Sequence, residues 1–154
     1  MARKIGSEAL ISNSALQSFR DVVGEWQTTG SHPYHPGVTL HGRTSFDWIE
    51  GGAFLIMHSE IEEPGFPSGV AIFGTDDAAN NCFMLYFDER GVSRKYDVTM
   101  TGKTLAWWRD EPSFSQRFTF VMGDDGNTMV GKGEMSRAGA VWEEDLTLTL
   151  VRIG

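Results

Sequence analysis

Three segments of this chain carry side chains whose types and spacing suit chemistry. The first is Arg94-Lys95-Tyr96, with Tyr86 upstream and Arg109 and Glu111 downstream. In an extended strand successive side chains alternate between faces. Arg94 therefore shares a face with Tyr96, Val98 and Met100, while Ser93, Lys95, Asp97 and Thr99 take the other. The first set is the apolar one and must face an interior, so Arg94 enters with it. A guanidinium taken out of water needs a carboxylate partner or an anionic ligand. Arginine with tyrosine hydroxyls beside it is suited to hold a carboxylate bidentately. The second segment is His32-Pro33-Tyr34-His35, whose spacing suits metal ligation. No third ligand stands near it in sequence, so neither a metal nor a cofactor is expected. The third is Cys82, the only cysteine. It excludes an intrachain disulfide and reads as a small buried hydrophobe.

These residues must be positioned by strands. From Glu25 to Ile153 the chain consists of short runs rich in Val, Ile, Thr, Phe, Tyr and Trp, separated by turn signals. About ten such runs follow one another, from Glu25–Thr29 and Thr39–Ile49 through Val92–Thr101 and Thr104–Asp110 to Trp142–Ile153. That spacing predicts an all-β fold, a closed antiparallel up-and-down β-barrel in which each strand pairs with the next and closure removes the edges. Before it, Ser14 can cap a short N-terminal helix over Ala15–Val23, with Leu16, Phe19, Val22 and Val23 on one stripe. The length fits a single domain over residues 1–154, with an N-terminal arm and helix over 1–23 and the barrel over 24–154.

Turn chemistry sets three registers. Gly51-Gly52 as a two-residue turn places Arg43 opposite Glu60, His41 opposite Glu62, Trp48 opposite Leu55 and Phe46 opposite Met57, which separates a charged face from an apolar one. His41 and His58 then face outward. Glu89-Arg90-Gly91 fits a type I turn with a bulge, setting Tyr86 against Arg94 and Met84 against Tyr96. Gly102-Lys103 sets Lys95 against Asp110, Tyr96 against Arg109 and Val98 against Trp107. The turn at 123–127 allows two registers.

Carried across the sheet, these registers make rows: Tyr86, Arg94 and Glu111; Met84, Tyr96 and Arg109; Cys82, Val98 and Trp107. The candidate site is a ligand's polar end held by Arg94, Tyr96 and Arg109, with Tyr86 and Glu111 beside them. Trp48, Phe46, Met57 and Trp107 would line the apolar remainder. Two arginines against one glutamate leave positive charge over unless Asp88 or Glu144 contributes. The same residues also suit a rim salt-bridge network of Arg94, Arg109, Glu111 and Asp88 with no ligand.

Gly24-Glu25-Trp26 opens the first strand after a short helix, and Arg152 stands near the end of the last strand. This resembles the calycin superfamily, which includes lipocalins, fatty-acid-binding proteins and nitrobindin-like barrels, and also small uncharacterised bacterial lipocalin-like proteins. The resemblance implies that Trp26 packs under Arg152 and closes one end of the barrel. It implies a lipocalin-like function, the binding of a small hydrophobic or amphipathic molecule, here an anionic one. Nitrobindin-like barrels hold haem through a histidine on a late strand, and this chain has none after His58, so that function does not carry over. Phenolic acid decarboxylases are similar barrels that work with tyrosine, arginine and glutamate, which leaves an enzymatic alternative with Glu111 moving the proton. A structural or interaction protein with a filled barrel is the third alternative.

Composition narrows the partners. The 21 acidic and 13 basic residues give a net charge of −8, which repels phosphate backbones, so nucleic acid is not expected. No apolar run is long enough for a membrane span. Met1 to Gly6 is basic without a following apolar stretch, so the expected location is cytoplasmic. Inward Met84 and Tyr86 force Phe83, Leu85 and Phe87 outward, and Trp108 joins them from a neighbouring strand. Such an apolar stripe suits a homodimer interface, or else a surface that the N-terminal helix covers.

Overall fold

The structure is a computed structural model, and it describes residues 14–77, 81–139 and 141–153. The first thirteen residues of the expected N-terminal arm lie outside the described residues. Ten strands follow in chain order: β1 Gly24–Ser31, β2 Leu40–Ile49, β3 Phe54–Ile61, β4 Gly69–Asp76, β5 Asn81–Asp88, β6 Ser93–Thr101, β7 Thr104–Arg109, β8 Phe114–Met122, β9 Thr128–Arg137 and β10 Glu143–Arg152. Each pairs antiparallel with the next, and β10 returns to β1, so the barrel is closed. No helix among the described residues is long and apolar enough to cross a membrane.

The registers follow the turn chemistry. Arg43 opposes Glu60, Phe46 opposes Met57 and Trp48 opposes Leu55. Tyr86 opposes Arg94 and Met84 opposes Tyr96, with Gly91 at φ 82° supplying the left-handed residue of that turn. Val98 opposes Trp107. The ion pair expected to support this last register does not form. Among the described residues Lys95 has no ion pair with Asp110, and its Nζ lies 5.2 Å from the centre of the Phe83 ring. The two registers open to the 123–127 turn resolve to one: Met122 opposes Met129, and Gly126 takes φ 72°.

The N-terminal helix is a 3₁₀ helix over Ser14–Val22. With three residues per turn, every third side chain falls on one line. Leu16, Phe19 and Val22 are that line, and all three are fully buried. They enter one end of the barrel, where Phe19 meets Phe73 edge to face. The stripe predicted for an α-helix also included Val23, which lies beyond the end of the helix and is only half-buried. Beside this plug the Arg152 guanidinium lies over Trp26, 4.2 Å from its ring centre. Arg152 donates to the carbonyls of Val23 and Asp21, each at 2.7 Å, and Trp26 Nε1 donates to Val22 O at 2.9 Å. Helix, first strand and last strand are thus tied together at the closed end.

The closed end is packed and the opposite end is open. On β9 the inward positions 131 and 133 are glycines, and each faces a phenylalanine across the ladder, Phe120 and Phe118. A side chain at Gly133 would come within 2.7 Å of the Phe118 ring. The missing side chains let Phe118 and Phe120 lie against the β9 backbone, where Phe118 stacks on Trp107 at 5.4 Å and Phe120 meets it tilted at 5.5 Å.

Candidate functional site

The open end holds a cavity of about 470 Å³, a size that suits one small organic ligand. Strand alternation makes its floor apolar: Phe46, Met57, Met84, Trp107, Phe118 and Phe120 all line it. The loops after β1 and β3 form its mouth, through His32, Tyr34, His35 and Phe66. Arg94 and Tyr96 both line it, as their shared face on β6 requires. Tyr96 is buried. Burial raises the pKa of its hydroxyl, opposed by a hydrogen bond from Arg94 and the charges of Arg94 and Arg109.

Arg94 has no carboxylate among the described residues. Its guanidinium lies 4.7 Å from the centre of the Phe114 ring. The carboxylates expected to neutralise it are engaged elsewhere or out of reach. Asp88 accepts from Arg90 Nη2 at 2.7 Å and from Tyr86 Oη at 2.8 Å. These bonds hold the Asp88 carboxyl down at about 2, the Arg90 guanidinium contributing most. Burial, and then the bond to Asp88, push the Tyr86 hydroxyl well above its usual range.

Three of the predicted site residues are placed differently. Glu111 does not form a row with Tyr86 and Arg94: it lies exposed in the connection after β7, its amide bonded to Ser115 Oγ. The strand ends at Arg109, so alternation no longer governs Glu111, and Glu111 itself is not inside the barrel to take the proton-moving role that the enzymatic alternative gave it. Arg109 is half-buried but turns to the rim, where Nε donates to Phe114 O at 3.3 Å, and it does not line the cavity. Trp48 packs against the core beyond Phe46 and does not line it either. Glu144, named as a possible counter-charge, is exposed.

The residue found in its place is Asp145. The β10–β9 register shifts between Glu144 and Thr147, and this bulge turns two consecutive side chains, Asp145 and Leu146, into the cavity. Asp145 is buried and accepts two bonds. His32 Nε2 donates to Oδ1 at 3.0 Å, and Gln116 Nε2 donates to Oδ2 at 2.6 Å. Gln116 Oε1 in turn accepts from Tyr96 Oη at 2.5 Å. A polar chain therefore runs from the mouth to the middle of the cavity through His32, Asp145, Gln116 and Tyr96. His32 and His35 belong to this site, although their sequence spacing suggested nothing but a weak metal motif. Among the described residues no cluster of three or more His, Cys, Asp or Glu could hold a metal. His58 is exposed on the outer face, and His41 pairs outside the barrel with Glu63.

No protein-family model matches the chain. No curated protein matches its sequence. Among solved structures, the crystal structure of Rv2717c from M. tuberculosis aligns with 94% of this chain and 100% of its own, with a TM-score of 0.63 and 14% identity. The likeness is one of fold. It matches the closed barrel seen here, and any function has to be argued from the cavity itself.

Proposed function

We propose that this chain is a calycin-type barrel that binds a small amphipathic anion, its apolar part among Phe46, Met57, Met84 and Trp107 and its anionic group on Arg94. The observation that carries this reading is Arg94 itself: a half-buried guanidinium lining a cavity, with no carboxylate partner among the described residues. The surrounding charge supports it. Of the arginines lining the cavity, Arg90 is neutralised by Asp88, which leaves Arg94 and Arg137 against one aspartate, Asp145. One positive charge is thus left over in a chain of net charge −8, which favours an anionic ligand at this position. The Trp26–Arg152 contact at the closed end supports the calycin part of the reading. An open cavity is harder to reconcile with a filled, purely structural barrel, since packed interiors leave few voids larger than a water.

The test is calorimetric titration with decanoate. A charge-assisted contact contributes roughly 1.5–3 kcal/mol, so Arg94→Gln should weaken binding about ten- to a hundredfold. Arg43→Gln, a control on the outer face where Arg43 sits 3.9 Å from Glu25, should leave binding unchanged. Equal affinity in the two variants would remove Arg94 as the anchor.

A further inference from the structure

The polar chain behind Tyr96 determines which way its hydroxyl points its proton. The Tyr34 amide, which can only donate, lies 3.0 Å from His32 Nδ1. That nitrogen is therefore the unprotonated one, and the ring proton sits on Nε2, facing Asp145. Asp145 accepts it at Oδ1 and accepts the Gln116 amide nitrogen at Oδ2. A carboxylate cannot donate, so it also orients the Gln116 amide: the NH₂ faces Asp145 and the carbonyl faces Tyr96. The carbonyl can only accept, so Tyr96 must give its proton to Gln116. Every bond in the chain is thus polarised toward Asp145. Toward the cavity Tyr96 Oη has acceptor capacity alone: one lone pair faces the Arg94 guanidinium, which has donors alone, and the other is left for a ligand.

This pairing has a complement. We infer that the site prefers carboxylates bearing a hydroxyl on the adjacent carbon, the carboxylate going to Arg94 and the hydroxyl donating to Tyr96 Oη. The inference rests on the anion-binding reading above and adds a second contact to it. Arg94 and Tyr96 are two residues apart on one face of β6, and the guanidinium is near enough to hydrogen-bond the tyrosine hydroxyl. Ligand groups on adjacent carbons can therefore meet both. A plain carboxylate leaves the second lone pair of Oη without a donor, which lowers its affinity relative to the hydroxy acid. Asp145 acts here as a positioning residue, since its effect on the ligand hydroxyl passes through Gln116 and Tyr96.

The probes are 2-hydroxydecanoate and decanoate, titrated calorimetrically into the wild-type chain, Tyr96→Phe and Arg94→Gln. The wild type should bind the hydroxy acid about three- to tenfold more tightly, the worth of one neutral hydrogen bond. Tyr96→Phe should bind the two acids alike, and Arg94→Gln should weaken both. If the wild type binds both acids equally while Arg94→Gln still weakens them, the hydroxyl preference is overturned and the anion site stands. A preference that persists in Tyr96→Phe overturns it as well, because the hydroxyl is then read elsewhere. If the wild type binds neither acid, the anion site and the hydroxyl preference fall together.

Discussion

Asp145 and His32, 113 residues apart in the chain, meet at 3.0 Å inside the mouth of the barrel. The contact joins the last strand to the loop after the first. Asp145→Ala would leave the His32 Nε2–H and one Gln116 N–H without their acceptor in a partly buried site. Stability measured by urea unfolding should fall by about 2–4 kcal/mol, the range for stranding buried donors that had bonded a charge. Glu144→Ala, one residue away and exposed, should change it by less than about 0.5 kcal/mol. Similar losses in the two variants would contradict the bulge that separates their faces.

A pH dependence follows from Asp88. Its side chain is fully buried beside Arg90, and its carboxyl titrates at about 2 in the folded chain, below the usual carboxylate range. A group whose folded pKa is lowered contributes stability above its unfolded pKa and loses it as pH falls through the folded value. The contribution should be complete above about pH 4 and vanish toward pH 2. Arg90 is about half exposed, so solvent screening limits the contribution to about 1–2 kcal/mol. Unfolding free energies of wild type and Asp88→Asn should therefore differ by that amount at pH 6 and converge near pH 2. A gap that stays constant over this range would assign the effect to packing instead.

The outer stripe gives the third prediction. The helix over Ser14–Val22 buries Leu16, Phe19 and Val22 at the barrel end, with Phe19 on Phe73, which leaves the outer stripe of Phe83, Leu85, Phe87 and Trp108 as a candidate interface. Leu85 and Phe87 are 38% and 40% exposed, and across the ladder Ile72 and Val70 extend the patch. Lys95 and Asp97 lie beside it, one of each sign, which suits contact with a second copy about a two-fold axis. Light scattering should give a dimer for the wild type and a monomer for Leu85→Glu, with unchanged circular dichroism. A wild-type monomer would rule out the interface.

The amino-acid sequence by itself determined the strands, three of the hairpins and the inward face of β6. Those features rest on local physics. Side chains alternate with a period of two, and Gly51-Gly52, Gly91 and Gly102 accept backbone angles that other residues resist. Arg94, Tyr96, Phe46, Met57 and Trp107 could be placed inward from that alone. The polar chain behind Tyr96 could not. Counting back from Leu150 and Leu148 by twos gives Leu146 and then Glu144 as inward residues, and only the bulge between Glu144 and Thr147 exchanges Glu144 for Asp145. Whether a strand bulges depends on the strand it pairs with, so nothing within β10 announces it. Glu111 failed for the converse reason: β7 ended at Arg109, and a turn residue follows no alternation. His32 joined the site only through barrel closure, because closure brings the end of β1 beside β10 and within reach of Asp145.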